Sequence, residues 1–322
     1  MSDKKWTADQ LPDQTGRVAI VTGGNSGLGF EASLALAAKN AHVILAVRDN
    51  EKGATAVHRI LKAHPQSQVE MRLLDLASLA SIQQFAQAFR QDFDRLDVLI
   101  NNAGVMAIPR RETTDGFEMQ FGVNHLGHFA LTGDVFELLL STPHSRVVTV
   151  SSLMHQSGRI NFDDLMGVKN YSKSSAYAQS KLANLLFAYE LQRRLNSLND
   201  PMLSVAAHPG YAATNLQSAG PEMEGAALSK FFADLGNTLL AQSAAMGALP
   251  ILYAAGALAV TGGKYYGPDG FMGIRGYPTE TKSSPASHDP ETARRLWQIS
   301  ETLTGVTYPV LSAVGEHQPV SA

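Results

Sequence analysis

Six short runs rich in β-branched residues recur along the chain, at Arg17–Val21, His42–Val47, Val69–Leu74, Asp97–Ile100, Arg146–Val150 and Leu203–Ala207. Their nearly continuous apolar character is that of strands covered on both faces, since a strand with one wet face would alternate. Between them apolar residues return at three- and four-residue spacing, as at Ala54, Val57, Ile60 and Leu61 or at Ile82, Phe85, Ala86 and Phe89, which marks helices with one buried face. Strand and helix in alternation predict an α/β protein with a doubly wound parallel sheet. A further strand is expected at Lys264–Tyr266, giving about seven, and long helical runs are expected at Gly116–Leu140 and Ser174–Arg194. No repeat, low-complexity tract or Pro/Ser-rich linker divides the chain. One domain is therefore expected over 15–303, between loose arms at 1–14 and 304–322.

Composition narrows the classes. The 322 residues carry 26 Lys plus Arg against 29 Asp plus Glu, a formal net charge of −3, without the basic excess of a nucleic-acid binder. Only 17% are charged and 44% are hydrophobic, which calls for a large core and leaves room for a homo-oligomer interface. There is no cysteine, so disulfides, thiolate-bound metals and thiol catalysis are excluded together. The first residues are charged with no apolar core, and the most apolar stretch, Ala244–Val260, contains Pro250 and reads as a buried helix. A cytoplasmic protein with no membrane anchor is expected. Between Tyr211 and Leu240 the chain turns Ala-, Gly- and Leu-rich, with Met223, Phe231 and Phe232, directly after the sixth strand; a substrate lid is expected there.

The first strand runs into Thr22-Gly23-Gly24-Asn25-Ser26-Gly27-Leu28-Gly29 and then a helical run. Glycines at such a turn let backbone amides approach a pyrophosphate at a helix N-terminus, where the helix dipole favours negative charge. No Lys-Ser/Thr follows, which excludes a P-loop. Nineteen residues after Gly29, where an acid would hold the ribose hydroxyls of NAD, stands Arg48, suited instead to the 2′-phosphate of NADP. NADP(H) is therefore the expected cofactor, with NAD(H) still open; Asp49 reads as a helix cap or as a ribose acceptor.

Tyr177 and Lys181 stand four apart in one helical run and so share a face. A nearby ammonium would stabilise a phenolate, although a packed ring beside a surface lysine has the same spacing. Ser151-Ser152 closes the fifth strand, at the sheet edge where ligands of such folds sit. Its hydroxyls either polarise a carbonyl or cap the next turn, and Asn124 is an amide inside a helical run, where amides are disfavoured without a partner. His125 and His128 lack a third ligand or an HExxH pattern, so no metal site is expected and both read as packing or interface residues. The Gly-x-Ser-x-Gly elbow of a hydrolase is missing around Ser152.

Taken jointly, Thr22-Gly-x-x-x-Gly-x-Gly29, Asp75-Leu76, Asn101-Asn102-Ala103-Gly104, Asn124, Ser152, Tyr177-x-x-x-Lys181 and Pro209-Gly210 stand in register with the strand ends. Over roughly residues 15–300 the chain resembles a short-chain dehydrogenase/reductase. Val123–Phe129, the 25-residue gap from Ser152 to Tyr177, Gly158-Arg159-Ile160, Tyr177–Asn184 and Ala293–Trp297 resemble the retinol dehydrogenase and WW-domain oxidoreductase branch. The resemblance implies a single-domain Rossmann-type fold. It implies a catalytic tetrad of Asn124, Ser152, Tyr177 and Lys181, in which Ser152 polarises a carbonyl, Tyr177 exchanges the proton, Lys181 also holds the nicotinamide ribose and Asn124 supports a water-linked relay. It further implies cofactor contacts from Gly23, Asn25, Ser26, Gly27, Leu28, Gly29, Arg48, Asp75, Leu76, Asn102, Ala103, Gly104, Tyr177, Lys181, Pro209, Gly210 and Thr214.

With Met154, Phe162, Met166 and Tyr211 as apolar pocket candidates, the expected activity is hydride transfer between NADP(H) and a hydrophobic alcohol or carbonyl compound. A carbon–carbon double-bond reductase is the alternative within enzymes, and a cofactor-binding sensor or scaffold with little turnover the alternative outside them.

Overall fold

The computed structural model describes residues 5–211 and 242–311. Eight strands form one sheet: β1 (Val18–Thr22), β2 (His42–Val47), β3 (Val69–Leu73), β4 (Val98–Asn101), β5 (Arg146–Val150), β6 (Leu203–Ala207), β7 (Tyr265–Pro268) and β8 (Pro278–Glu280). Their order is β3-β2-β1-β4-β5-β6-β7-β8, parallel except for the antiparallel β8 at the edge. The order reverses direction between β1 and β4, so the loops at the carboxyl ends of these two strands diverge and open a crevice. The short β8, with its Pro-Thr-Glu sequence, gives no apolar run and was not legible as a strand.

Each central strand feeds two cores by alternation. Ala19, Val21, Val43, Leu45, Val98, Ile100, Val148 and Val150 join the cluster under α1 (Gly27–Ala38) and α8 (Ala244–Gly256). Their neighbours Val18, Ile20, Ile44, Leu99 and Val147 join the cluster under α3 (Leu79–Asp92), α5 (Gly127–Asp134), α7 (Lys173–Ser197) and α9 (Pro290–Thr304). That period-two division is what a strand buried on both faces produces. Helix α2 (Asn50–Ala63) covers the β2–β3 end. The expected arms are not loose where they are described: Leu11, Tyr308 and Leu311 are buried, because each fills a gap in one of the two cores.

The run expected as one helix over 116–140 is broken. A short helix α4 (Met119–Phe121) leads into a π-helical turn at Gly122–Leu126, then α5, then α6 (Phe136–Ser141). Close packing drives this: a Cβ on Gly122 would lie 2.6 Å from Thr113 Cγ2, and one on Gly127 2.6 Å from Leu76 O. The segment is pressed against two neighbouring loops and widens by one residue per turn to fit. Among the described residues no helix is long and apolar enough to cross a membrane.

Candidate active site

The crevice at the β1/β4 divergence has a volume of about 330 Å³ and is lined by Gly23, Asn25, Ser26, Gly27, Leu28, Arg48, Asp75, Leu76, Asn102, Ala103 and Gly104 among others. Its base is the N-terminus of α1. Helices α2, α3, α7, α8 and α9 each begin with a side chain accepting a first-turn amide, but Ser26 makes no such bond and the first turn of α1 holds no acid. Those first amides are open to an anion. Gly23 has φ +67°, and a Cβ on Gly29 would strike Gly23 O, so the turn folds tightly enough to expose them. Asp49 caps α2 by accepting from Lys52 N at 3.0 Å, which leaves exposed Arg48 at the crevice mouth, with no ion pair among the described residues.

Several expected contacts are placed otherwise. Gly29, Pro209 and Gly210 do not line the crevice; Gly29 serves the turn, and Gly210, at φ +65°, packs against Ile274 O. Asn102 lines the crevice but spends its amide on Thr22 O at 2.8 Å, pinning β4 to β1. Thr214 and the expected lid, apart from Tyr211, fall outside the described residues. Phe162 and Met166 belong to a core cluster with Leu182, Leu186 and Leu296, the Phe162 ring lying under the Arg295 guanidinium at 4.0 Å. Neither is a crevice residue, since their apolar surface is used in packing that loop onto α7.

Beside the crevice the four expected catalytic side chains converge. Tyr177 and Lys181 lie one turn apart on α7, with Lys181 Nζ 5.6 Å from the Tyr177 ring centroid. The Ser152 hydroxyl accepts from Met154 N at 3.2 Å, capping the turn after β5, and the same side chain exerts a downward pull on the Tyr177 phenol. Lys181 Nζ donates to Val150 O at 3.1 Å, at the end of β5. Asn124 sits in the π-turn; its Oδ1 accepts from Val105 N at 2.8 Å and its Nδ2 donates to Val105 O and Ser180 Oγ, each at 2.9 Å. A Cβ on crevice residue Gly104 would lie 2.9 Å from Asn124 Oδ1 and 3.7 Å from Lys181 Nζ, so these two side chains border the crevice directly.

Residues 17–225 match the family model for short chain dehydrogenases. The chain is 41% identical to polyprenol dehydrogenase of Danio rerio over 311 residues, spanning 94% of this chain and 91% of that one. It is 42% identical to human retinol dehydrogenase 13 over 301 residues, 91% and 86% of the two chains. This chain is a short-chain dehydrogenase. Among solved structures, a protein of Mycobacterium paratuberculosis superposes with a TM-score of 0.78 at 42% identity, over 95% of this chain and 99% of that one. A Shigella flexneri short chain dehydrogenase complexed with NADP, at 21% identity and a TM-score of 0.60, covers 80% of this chain and shares the fold.

Burial sets the protonation states of this short-chain dehydrogenase. It pushes the Tyr177 phenol up to about 12, against a smaller downward pull from Ser152. Desolvation of a phenolate is the dominant influence on this buried ring. Burial also lowers Lys181 to about 8.

Two residues to which the sequence assigned no role support the site of the dehydrogenase. His155 Nδ1 donates to Ser152 O at 2.6 Å and its Nε2 accepts from Ser284 N at 3.1 Å, tying the serine turn to the segment beyond β8. Asn184 Nδ2 shares Val150 O with Lys181, at 3.1 Å. Asn184 lies three residues, about one turn, beyond Lys181, so the i,i+3 spacing was a usable signal; His155 holds a local carbonyl, and its tie to Ser284 is long-range and left none.

Proposed function

We propose that this enzyme interconverts a hydrophobic alcohol and its aldehyde or ketone with NADP(H) as the preferred cofactor. The observation that carries the reading is the convergence of Ser152, Tyr177, Lys181 and Asn124 beside a crevice whose floor is an uncapped helix N-terminus. A dinucleotide fits that crevice in its chemistry: open first-turn amides of α1 for the diphosphate, Asp75 and Leu76 beside the base, and Arg48 for a 2′-phosphate. When bound, the nicotinamide supplies or accepts the hydride.

The chain's own residues do the rest. Ser152 holds the substrate oxygen, and Tyr177 delivers its proton to that oxygen; a buried phenol raised to about 12 is kept in the protonated form that this task needs. In the oxidative direction the phenolate takes the proton from the alcohol, and the Lys181 charge favours the phenolate form that this step requires. Asn124 binds Val105 and Ser180 and so fixes the crevice wall relative to the Tyr177 face of α7.

An apolar rim supports a hydrophobic substrate. Met154 is 39% exposed beside Ser152, and Phe271 and Met272 are 83% and 72% exposed on a turn that reaches Leu153 through Gly273. The relatives' names, polyprenol and retinol dehydrogenase, point to the same class.

The test is a panel of apolar and polar alcohols and carbonyl compounds followed by nicotinamide absorbance, with NADPH and NADH in parallel. Turnover confined to apolar members with NADPH preferred supports the proposal, and preference for sugars or for NADH refutes it.

A further inference from the structure

His128 stands one turn after Asn124, and both are buried, at 1% and 0% exposure. Its Nδ1 lies 3.0 Å from the Asn124 main-chain oxygen and its Nε2 2.9 Å from Thr22 Oγ1. A carbonyl oxygen has no proton to give, so the ring carries its hydrogen on Nδ1. Nε2 of the neutral ring is then an acceptor, and the Thr22 hydroxyl donates to it. The hydroxyl's other acceptor, Ile100 O, is farther, at 3.2 Å, and turning to it would leave a buried ring nitrogen without a donor. Burial lowers His128 to about 4, which keeps the ring neutral across the working range of an enzyme.

The chain of bonds continues on both sides. Thr22 Oγ1 accepts from Asn102 N and Ala103 N, each at 2.9 Å, and these two residues line the crevice. Thr22 itself ends β1, immediately before the glycine turn. At the other end, Asn124 holds Val105 and Ser180, and Ser180 Oγ donates to Tyr177 O at 2.8 Å. One buried line of hydrogen bonds thus joins the floor of the crevice, through an imidazole, to the π-turn and to the helix that presents Tyr177 and Lys181.

We propose that His128 is a positioning residue: its Nδ1–H fixes the Asn124 carbonyl in the π-turn and thereby holds Asn124 and, through Ser180, the helix that presents Tyr177 and Lys181. This rests on the catalytic reading given above. A packing histidine would need only its shape and burial, whereas a positioning one needs a donor at one defined ring atom.

Amide isosteres separate these roles, because asparagine places its amide near the imidazole Nδ1 and glutamine near Nε2. His128→Asn keeps the donor to Asn124 and loses Thr22; His128→Gln does the reverse. The expected result is a kcat lowered about tenfold or more in His128→Gln, with NADPH affinity held within about twofold, and a kcat within about threefold of wild type in His128→Asn, since small displacements at a reacting site are costly. Equal loss of kcat in both variants, or wild-type kcat in His128→Gln, overturns the proposal.

Tyr177→Phe measured alongside distinguishes the failures. A wild-type-like His128→Gln beside an inactive Tyr177→Phe removes only the role of His128, and an active Tyr177→Phe removes the catalytic reading and this proposal with it. A readout independent of turnover and of the variants' folding is the ¹⁵N spectrum of histidine-labelled wild-type protein. A neutral His128 ring protonated on Nδ1 is expected, and protonation on Nε2 alone or on both nitrogens contradicts it.

Discussion

Replacing Lys181 by methionine should stabilise the protein while destroying its activity. The side chain is 3% exposed, and burial lowers its pKa from the usual 10.5 to about 8. At about 1.36 kcal/mol per decade, holding that charge in the folded state costs on the order of 3 kcal/mol at pH 7. Methionine preserves the unbranched stem and removes the charge. Val150 O, which loses the ammonium, keeps the Asn184 amide at 3.1 Å, so no buried carbonyl is orphaned. For a chain of this length about 3 kcal/mol corresponds to roughly 5 °C in Tm.

Below about pH 8 Lys181 is charged in both the folded and unfolded states, so the full penalty applies to the wild type and the variant melts higher by the full amount. Between about 8 and 10.5 the folded protein has shed a proton that the unfolded chain still holds, wild-type stability recovers, and the gap closes. Above 10.5 the two should melt together. Thermal melting of both proteins without cofactor across pH 7 to 11 measures this, with turnover assayed on the same preparations. A variant that is no more stable at pH 7, or a gap that does not change with pH, would refute the reasoning about burial of the ammonium.

Other expectations follow from single contacts. Arg48→Ala should erode the preference for NADPH over NADH about tenfold or more, as loss of a charge-assisted bond of about 1.5 to 3 kcal/mol requires; an unchanged ratio of dissociation constants removes Arg48 from the phosphate site. Gly29→Ala drives a methyl into Gly23 O and lies within 2.6 Å of Asn102 Nδ2, so cofactor affinity should fall at least about tenfold and stability by about 1 to 3 kcal/mol, read by titration and melting; wild-type binding would show that the turn is not held as described. Tyr177→Phe keeps the packed ring and deletes the proton, so kcat should fall about a hundredfold or more with NADPH affinity nearly unchanged, and retained turnover would end the proton-donor role.

Much of the fold was legible because it depends on local patterns. The strands β1, β2, β4 and β5 are nearly continuous apolar runs, and each joins both cores by alternation, whereas the edge strand β3 carries Glu70 and Arg72 and packs only Val69 and Met71 on the first core. What was not legible depends on contacts made across the chain. β8 exists because β7 offers it an edge, not because Pro278–Glu280 favours a strand. The π-turn exists because Gly122 and Gly127 are pressed against Thr113 and Leu76, and the burial of Tyr308 answers to Gly133 and Trp297 rather than to its own neighbours in sequence.

The site divides in the same way. Tyr177 and Lys181 share a helix face and could be read from spacing, and the glycine turn could be read from its place after β1. His128 and His155 could not, since the carbonyl each one holds and the distant group on its other nitrogen become neighbours only on folding. The burial that raises the Tyr177 phenol is of the same kind: sequence shows the neighbouring cation but not the depth at which the ring sits.

The most direct test of the central claim is to follow the hydride itself. The enzyme is incubated with an apolar unsaturated aldehyde and NADPH carrying deuterium on the transferable position, and the product is analysed by mass spectrometry and NMR. The account predicts an alcohol with deuterium on the former carbonyl carbon, formed by wild type and not by Tyr177→Phe. Deuterium on a carbon of the former double bond, with the aldehyde intact, or equal labelling by both proteins, would contradict it.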